Sequence, residues 1–160
     1  MKNQLAKMVD KLNSKPQWLR YRLLSFALGK TVKFVGTAGV KCLHLSQDKS
    51  IFRLANRKKV RNHIGTVHAA ASALVAETAT GMALAMHIPD GKIPVLKAMH
   101  IDYVKRSTGG LTATAYLTEE QITQLHQLDK GEMRINCEVL DEKEIEPVVC
   151  QMDWAWTLPR

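Results

Sequence analysis

The sequence predicts an α+β domain in which an antiparallel sheet of about six strands curves around one long helix, preceded by a helical extension. Three observations indicate this fold. A long helical segment within residues 62–87 is apolar on nearly every side, and such a helix must be covered by other structure. The segments on both sides of it alternate apolar and polar residues, as strands do. Short turns join most of these segments, which favours antiparallel pairing.

The first thirty residues are predicted to form the helical extension (1–30), followed by the main domain (31–160). Apolar residues recur there at helical spacing in two stretches. Ser14 is the expected N-cap of the second helix, with Pro16 in its first turn, and Gly29 ends it. This second helix has a basic edge and can lie on a membrane, but we expect it to pack over the sheet. Its apolar side is formed by Trp18, Leu19, Leu23, Phe26 and Ala27.

Alternating residues predict six strands around the central helix. Two strands precede the helix and form a hairpin with a turn at residues 47–49. Four strands follow it, and a short helix capped by Thr118 and extending to Leu128 lies between the second and third of these. The predicted strands cover residues 35–45, 50–56, 93–106, 111–117, 131–139 and 148–156.

Composition and charge are those of a globular protein with a basic half. The chain has 160 residues, of which 46% are hydrophobic and 24% are charged, as is usual for one domain. Its net charge of +8 is uneven, because residues 1–62 hold 15 Lys/Arg and 2 acids whereas residues 63–160 hold 8 Lys/Arg and 13 acids. The basic half favours a phosphate-bearing ligand, a nucleic acid or an acidic membrane, and a solvated basic face is the alternative.

Several classes of protein find no support in the sequence. No segment approaches the ~18 apolar residues of a membrane span, and no signal peptide is evident. The three cysteines lack metal-like spacing, and we find no nucleophile elbow, Walker loop or zinc-binding motif. We therefore expect a cytoplasmic protein without a metal site or a transmembrane segment. Nucleic acid is the least favoured partner, because no helix carries an obvious set of base-reading residues.

The central segment carries the residues with the clearest chemical potential. A single acid, Glu77, lies in the middle of the apolar helix, where a carboxylate is costly unless it is paired, hydrogen-bonded or used in a reaction. The helix is preceded by the run Asn62-His63-Ile64-Gly65-Thr66-Val67-His68-Ala69-Ala70. This run with Glu77 resembles the signature of acyl-CoA thioesterases of the phenylacetic-acid-pathway (PaaI) type. The order of elements from about residue 31 to residue 156 resembles their hotdog fold.

The resemblance implies hydrolysis of an acyl-CoA or a related thioester, with coenzyme A as part of the substrate and no further cofactor. Glu77 would be the base or nucleophile, and Asn62 would position the water or the carbonyl. The N–H of Ala69, or that of Ala70, would bind the oxyanion at the helix N-terminus. Asn62 and Glu77 would meet across a homodimer interface, and a homotetramer is also compatible with the resemblance. The resemblance also implies that Ala69, Ala70, Gly65 and His68 are the oxyanion-binding or substrate-binding positions.

Helical geometry and one departure from the family pattern bear on this assignment. Glu77 is expected to share a helix face with Ala70, Ala73, Gly81 and Leu84. His68 falls nearly opposite Glu77, so we expect it to orient the helix rather than to transfer protons. The family pattern has glycines where this chain has Ala69 and Ala70, and their methyl groups narrow the slot. Non-catalytic binding of an acyl thioester or fatty-acyl group is therefore the alternative function.

Six cations are candidates for binding the phosphates of coenzyme A. Three belong to the basic cluster before the central motif and three to the long strand after the helix. Exposed basic residues on a strand are often only a solvated edge, which is the alternative for this group. The candidates are Arg57, Lys58, Lys59, Lys97, Lys105 and Arg106.

Overall fold

The computed structural model describes residues 2–159 of the chain. Within this range the helices are α1 (Gln4–Asn13), α2 (Gln17–Thr31), α3 (Lys33–Ala38), α4 (Ala69–Ala85) and α5 (Glu119–Gln127). The strands are β1 (Lys41–Leu45), β2 (Ser50–Leu54), β3 (Ile93–Tyr103), β4 (Leu111–Tyr116), β5 (Gly131–Asp141) and β6 (Val148–Thr157). A short 3-10 helix, Lys58–Val60, lies between β2 and α4.

The six strands form one antiparallel sheet in the order β1-β2-β4-β5-β6-β3. The helix α4 packs against five of these strands, from β2 to β3, so the sheet curves around it. This arrangement is the hotdog fold, and the predicted fold class is confirmed. The strands after α4 and the capping of α5 by Thr118 also agree with the sequence prediction to within a few residues.

The helix α4 is buried on most of its circumference because small residues allow the sheet to come close. Its hydroxyl groups are satisfied locally, as where Thr78 donates to the Leu74 carbonyl at 2.7 Å. The sheet also bonds to the helix: Ser50 donates to the Ala79 carbonyl at 2.5 Å, and the Trp154 indole donates to the Thr80 hydroxyl at 2.9 Å. The residues of its last three turns that retain solvent contact are Ala73, Glu77, Gly81, Met82 and Ala85.

The N-terminal helix α1 is fastened to the far end of α4. The Asn3 side chain accepts a hydrogen bond from Ala6 N–H at 2.8 Å, which caps α1. Its amide also donates to the carbonyls of Ala85 and Ile88 at 2.8 and 2.6 Å. These carbonyls lie at the C-terminal end of α4, where backbone acceptors lack helical partners. Asn3 therefore satisfies both helix ends, and residues of α1 enter the same core as the sheet.

The structure corrects three expectations about α2. Ser14 ends α1 instead of capping α2, whose N-cap is Pro16, and α2 continues past Gly29 to Thr31. The side predicted to pack over the sheet is largely exposed, since Trp18, Leu23 and Phe26 face solvent. The buried residues of α2 are Leu24 and Ser25, and the Ser25 hydroxyl accepts a hydrogen bond from Cys42 N–H at 2.9 Å. The helix thus lies along the edge strand β1, where a serine satisfies a free backbone donor.

The predicted first strand, residues 35–45, was too long. Residues Lys33–Ala38 form α3, and β1 begins only at Lys41. The alternation of apolar residues was misleading, because Val35 and Ala38 are the buried pair of a short helix. The helix α3 ends at Gly39, whose φ of +74° gives the left-handed C-cap. A close approach between Gly36 and Gly29, which sequence spacing does not reveal, holds α3 against α2.

No helix within residues 2–159 combines the length and the apolar character needed to cross a bilayer.

We expect Gly81→Ala to lower the free energy of unfolding, although alanine is the better helix former. The added Cβ would lie 2.7 Å from the Trp154 ring, which is buried and held by its bond to Thr80. Overpacking costs roughly 1–3 kcal/mol, against a propensity gain of about 1 kcal/mol. Urea denaturation measures the difference. In a Trp154→Phe background the smaller ring leaves room for the added methyl group, so Gly81→Ala should there be neutral or stabilising. If Gly81→Ala stabilises the protein that retains Trp154, the close packing of this ring on Gly81 is contradicted.

Candidate functional site

Glu77 lies at mid-length on the open side of α4. It is half-buried, with Ala73 one turn before it on the same side of the helix. Of the other residues expected on this face, Gly81 lies against the Trp154 ring and Leu84 is fully buried. Among residues 2–159, no group donates a hydrogen bond to the carboxylate and no cation pairs with it, so desolvation by burial alone raises the pKa of Glu77. The side chain is thus a partly desolvated acid without a structural partner.

Asn62 builds the turn that leads the chain into α4. Its side-chain oxygen accepts hydrogen bonds from the N–H groups of Ile64 and Thr66, both at 3.1 Å, and its amide donates to the Thr66 hydroxyl at 2.8 Å. Gly65 adopts a φ of +81° in the same turn, a conformation that favours glycine. Asn62 therefore fixes the loop from which the N-terminus of α4 projects.

The N-terminus of α4 carries both backbone N–H groups that were predicted as alternative oxyanion donors, and in the part of the chain that the structure describes only one of them is free to bind a ligand. His68 is the N-cap, and its Nδ1 accepts a hydrogen bond from Ala70 N–H at 3.1 Å. Within the described residues 2–159, no acceptor binds Ala69 N–H. The donor of Ala70 is therefore occupied by the cap, and that of Ala69 has no acceptor among the described residues at the positive end of the helix.

Two cavities of about 240 Å³ each flank this helix N-terminus. The first, which we call the Tyr103 cavity, is lined by Asn62, Ala69, Tyr103, Lys105 and Arg106, among others. The second, the Phe34 cavity, includes Phe34, Lys59, Arg61, His68 and Ala70 in its lining. Both cavities thus bring cations beside the first turn of α4.

Tyr103 is a residue of this region that the sequence did not single out. Its hydroxyl donates to the Ala69 carbonyl at 3.0 Å, and burial raises the pKa of Tyr103, so the hydroxyl remains a donor. The residue lies at the end of the edge strand β3, and only the pairing of β3 with β6 brings it to α4. The alternation of apolar and polar residues predicts the strand but does not predict which helix residue its end will contact.

Glu77 lines neither of the two cavities. It follows Ala69 by eight residues, which corresponds to roughly 12 Å along the helix axis. One chain thus places Asn62 and Ala69 together beside Tyr103, with Glu77 about two turns away from them along α4. The expected meeting of Asn62 and Glu77 across a subunit interface stays a prediction.

A family model described as a domain of unknown function (DUF4442) matches residues 20–157, which is most of the chain. The chain belongs to this family. The family match includes α4, all six strands and most of α2. No curated protein matches the chain.

Solved structures share the fold of this family member. A protein of unknown function and probable thioesterase from Pseudomonas aeruginosa has a TM-score of 0.76 at 20% identity, covering 86% of this chain and 95% of that one. A thioesterase from Haemophilus influenzae has a TM-score of 0.65 at 16% identity, covering 90% and 92%. A variant of a thioesterase from Staphylococcus aureus has a TM-score of 0.65 at 20% identity, covering 79% and 99%. These likenesses establish the shared fold.

The cations predicted to bind coenzyme A phosphates fall into different places. Lys105 and Arg106 line the Tyr103 cavity, and Arg106 also donates to the Ile64 carbonyl at 3.1 Å. Lys59 lines the Phe34 cavity. The other three cations lie outside both cavities. Lys97 pairs with Glu132, and Lys58 is exposed in the 3-10 helix. Arg57 donates to the carbonyls of Ala38 and Gly39 at 2.9 and 3.2 Å.

Other reactive side chains contribute little to this region. Burial raises the pKa of Cys42 and Cys137 to about 12 and that of Cys150 to about 11, so the three thiols are protonated at neutral pH and are weak nucleophiles. Among residues 2–159, no three His, Cys, Asp or Glu side chains lie close enough together to hold a metal ion.

We expect His68 to act as a helix cap, which His68→Asn tests against His68→Ala. Asparagine is a strong N-cap and should preserve stability, whereas alanine should cost about 1 kcal/mol of unfolding free energy. Thermal or urea denaturation of both variants measures this. Neither variant should change the pH dependence of any hydrolytic activity; the loss of a titrating step in both would contradict the capping role.

Proposed function

We propose that this protein hydrolyses acyl thioesters, with acyl-CoA as the substrate class and Glu77 as the general base. The observation that carries the proposal is a partly desolvated carboxylate without a partner among residues 2–159, on the open side of an otherwise buried helix. Such an acid costs stability, and use in a reaction is a reason for a protein to keep it. The thioesterases that share the fold support this reaction class.

The chemistry requires one base and one oxyanion donor. The Glu77 carboxylate takes a proton from water as the water oxygen attacks the thioester carbonyl carbon. The resulting oxyanion accepts a hydrogen bond from Ala69 N–H at the positive end of α4. Collapse of the tetrahedral intermediate breaks the carbon–sulfur bond, and the thiolate leaves with the proton that Glu77 holds. The products are a carboxylic acid and a thiol.

The cations around the helix N-terminus suit a substrate that carries phosphates. Lys105 and Arg106 lie in the same cavity as Ala69, and Lys59 and Arg61 lie in the neighbouring one. Arginine binds phosphate bidentately, and lysine binds it as a point charge. The proposed reaction needs the nucleotide near these cations and a pantetheine arm that brings the thioester carbonyl to Ala69 N–H.

A homodimer through β3 would complete the site. The strand β3 is an edge strand of eleven residues that pairs only with β6 within the described chain, and its exposed residues include Ile93, Val95, Met99 and Tyr103. A long exposed apolar edge is a template for pairing with another chain. Because β3 ends at Tyr103 beside the helix N-terminus, a two-fold copy there would bring its own α4 toward this cavity. Asn62 and Ala69 of one subunit would then face Glu77 of the other.

One observation favours binding without hydrolysis as a second candidate function. The His68 cap occupies Ala70 N–H, so of the two alternative oxyanion donors only Ala69 N–H has no acceptor within residues 2–159. Removal of one oxyanion donor costs about 100-fold or more in rate in enzymes that use two. A protein of this second kind would bind acyl-CoA and release no thiol.

We expect Glu77→Gln to lower kcat for acyl-CoA hydrolysis by at least ~100-fold, since a positioned acid–base group contributes this much. Because burial raises the pKa of Glu77, kcat/KM of the native protein should rise with pH through a pKa above that of an ordinary glutamate and then level off. Thiol release by a panel of acyl-CoAs measures both effects. The exposed Glu138→Gln is the matched control. An unchanged rate in folded Glu77→Gln would exclude Glu77 as the base.

Mixing two variants tests whether the site is shared between subunits. We expect each to be inactive alone, Glu77→Gln because it lacks the base and Asn62→Ala because Asn62 fixes the loop before Ala69. A heterodimer of Asn62→Ala and Glu77→Gln subunits would contain one intact site if Asn62 and Glu77 come from different chains. Random exchange at equal amounts should therefore restore about a quarter of the native rate. Thiol release after co-refolding measures this, with size determination to show the dimer. No recovery from fully exchanged dimers would place both residues in one subunit.

A further inference from the structure

The helices α2 and α3 expose an unusual amount of large apolar surface. Trp18, Phe26 and Phe34 are 64%, 65% and 61% exposed, and Leu23 and Val32 are also exposed. Only two of the fifteen residues of α2 are buried. Contiguous apolar patches of this kind on a globular protein mark interaction sites, so this surface requires a partner.

Cations without acidic counterparts surround these apolar side chains. Residues 15–41 contain six Lys/Arg and no Asp or Glu. In the part of the chain that the structure describes, 2–159, none of the six forms an ion pair with an acid. A surface that is at once apolar and uncompensated in charge fits a partner that supplies both anionic groups and an apolar phase.

The cations and the rings alternate along one side of α2. Trp18, Arg22, Phe26 and Lys30 follow one another at intervals of four residues, so they lie on one side of the helix. The Lys30 ammonium lies 5.6 Å from the centre of the Phe26 ring. Long cationic side chains can place their stems along an apolar surface and their charges in a polar layer.

Two adjoining grooves continue this surface from α2 to α3. Their volumes are about 600 and 480 Å³, and both are lined by Ser25, Phe26 and Lys41. Trp18 and Leu23 line the first groove, and Lys30 and Lys33 line the second. These two grooves form one continuous trough, which we call the α2–α3 surface. Its apolar side chains are Trp18, Leu23 and Phe26, and its cations are Arg22, Lys30, Lys33 and Lys41.

We propose that the α2–α3 surface docks on the face of an anionic phospholipid bilayer. Aromatic side chains insert at the headgroup level of a bilayer, and lysine and arginine are attracted to anionic headgroups. At fifteen residues with three cations, α2 is too short and too charged to span the hydrocarbon core. The helix lies in the interfacial plane, with Trp18 and Phe26 inserted and Arg22, Lys30, Lys33 and Lys41 at the phosphates.

The same features disfavour other partners. A second copy related by a two-fold axis would bring identical cations together, with no acid from residues 15–41 to pair with them. Phosphate contacts dominate nucleic-acid binding, and they give no role to aliphatic side chains such as Leu23 and Val32. A bilayer accommodates the cations and the aliphatic side chains together.

Vesicle binding of the full chain tests the proposal directly. We expect the protein to sediment with vesicles of 70% phosphatidylcholine and 30% phosphatidylserine, and not with pure phosphatidylcholine. Trp18 serves as an internal probe, because Trp154 and Trp156 are only 7% and 1% exposed. Tryptophan emission should shift to shorter wavelength with the anionic vesicles, and Trp18→Phe should abolish the shift while the protein still sediments.

Two double variants remove the two components of the surface separately. Lys30→Gln with Lys33→Gln should weaken binding to the anionic vesicles by about 30-fold, from about fivefold per cation. Trp18→Ser with Phe26→Ser should weaken it by at least ~10-fold through lost insertion. The control for the lysine pair is the double variant Lys130→Gln with Lys143→Gln, and the control for the aromatic pair is Tyr116→Ser. These residues are exposed elsewhere on the protein, so both controls should bind as the native protein does. Circular dichroism establishes that each variant is folded.

Four outcomes would overturn the proposal. The first is that the native protein does not sediment with anionic vesicles at low salt. The second is that the native protein and both double variants bind the vesicles equally well. The third is that the protein binds duplex DNA or single-stranded RNA and that vesicles do not displace it. The fourth is a change of oligomeric state in Trp18→Ser with Phe26→Ser, which would assign this surface to contacts between copies of the chain.

Discussion

The burial of α4 against the sheet is the constraint on which the rest of the molecule depends. The helix is built from small residues, so β6 can approach until the Trp154 ring lies against Gly81 and its indole bonds to Thr80. A helix without a polar face leaves water only where the sheet does not close around it. That opening follows the side of α4 on which Glu77 lies. The fold therefore determines where an acid on α4 can meet a ligand.

The environment of Glu77 makes its carboxylate form unfavourable for stability. Its pKa is raised in the folded state because burial disfavours the carboxylate. Its contribution to stability is therefore fully present below the pKa of the unfolded chain and is lost as pH rises through the raised folded value. When the group is ionised it costs stability, and no neighbouring donor within residues 2–159 offsets that cost. A partly desolvated carboxylate with a raised pKa is the kind of group that a general base needs, and this is why we propose that role for Glu77.

Local patterns in the sequence predicted the fold where local chemistry decides it, and failed where distant contacts do. The alternation of β4 to β6 and the Thr118 cap are local, and both were confirmed. The position of α2 involves the hydrogen bond from Cys42 N–H to the Ser25 hydroxyl, and α3 packs against α2 through the contact between Gly29 and Gly36. Neither contact has a local signal in the sequence. The site divides similarly: Glu77 was visible as an acid in an apolar helix, whereas Tyr103 reaches Ala69 only through strand pairing.

The two proposed interfaces use opposite ends of the sheet, and this separation makes them compatible. The strand β3 closes one end of the strand order and β1 closes the other. At the β3 end, free backbone groups and apolar side chains suit a second copy of the chain. At the β1 end, the Ser25 hydroxyl satisfies the Cys42 donor and α2 covers the edge, so side chains rather than backbone groups must supply any interaction there. A dimer formed through β3 thus leaves the α2–α3 surface of each subunit uncovered, and two such surfaces on one particle would strengthen bilayer attachment wherever both can reach it.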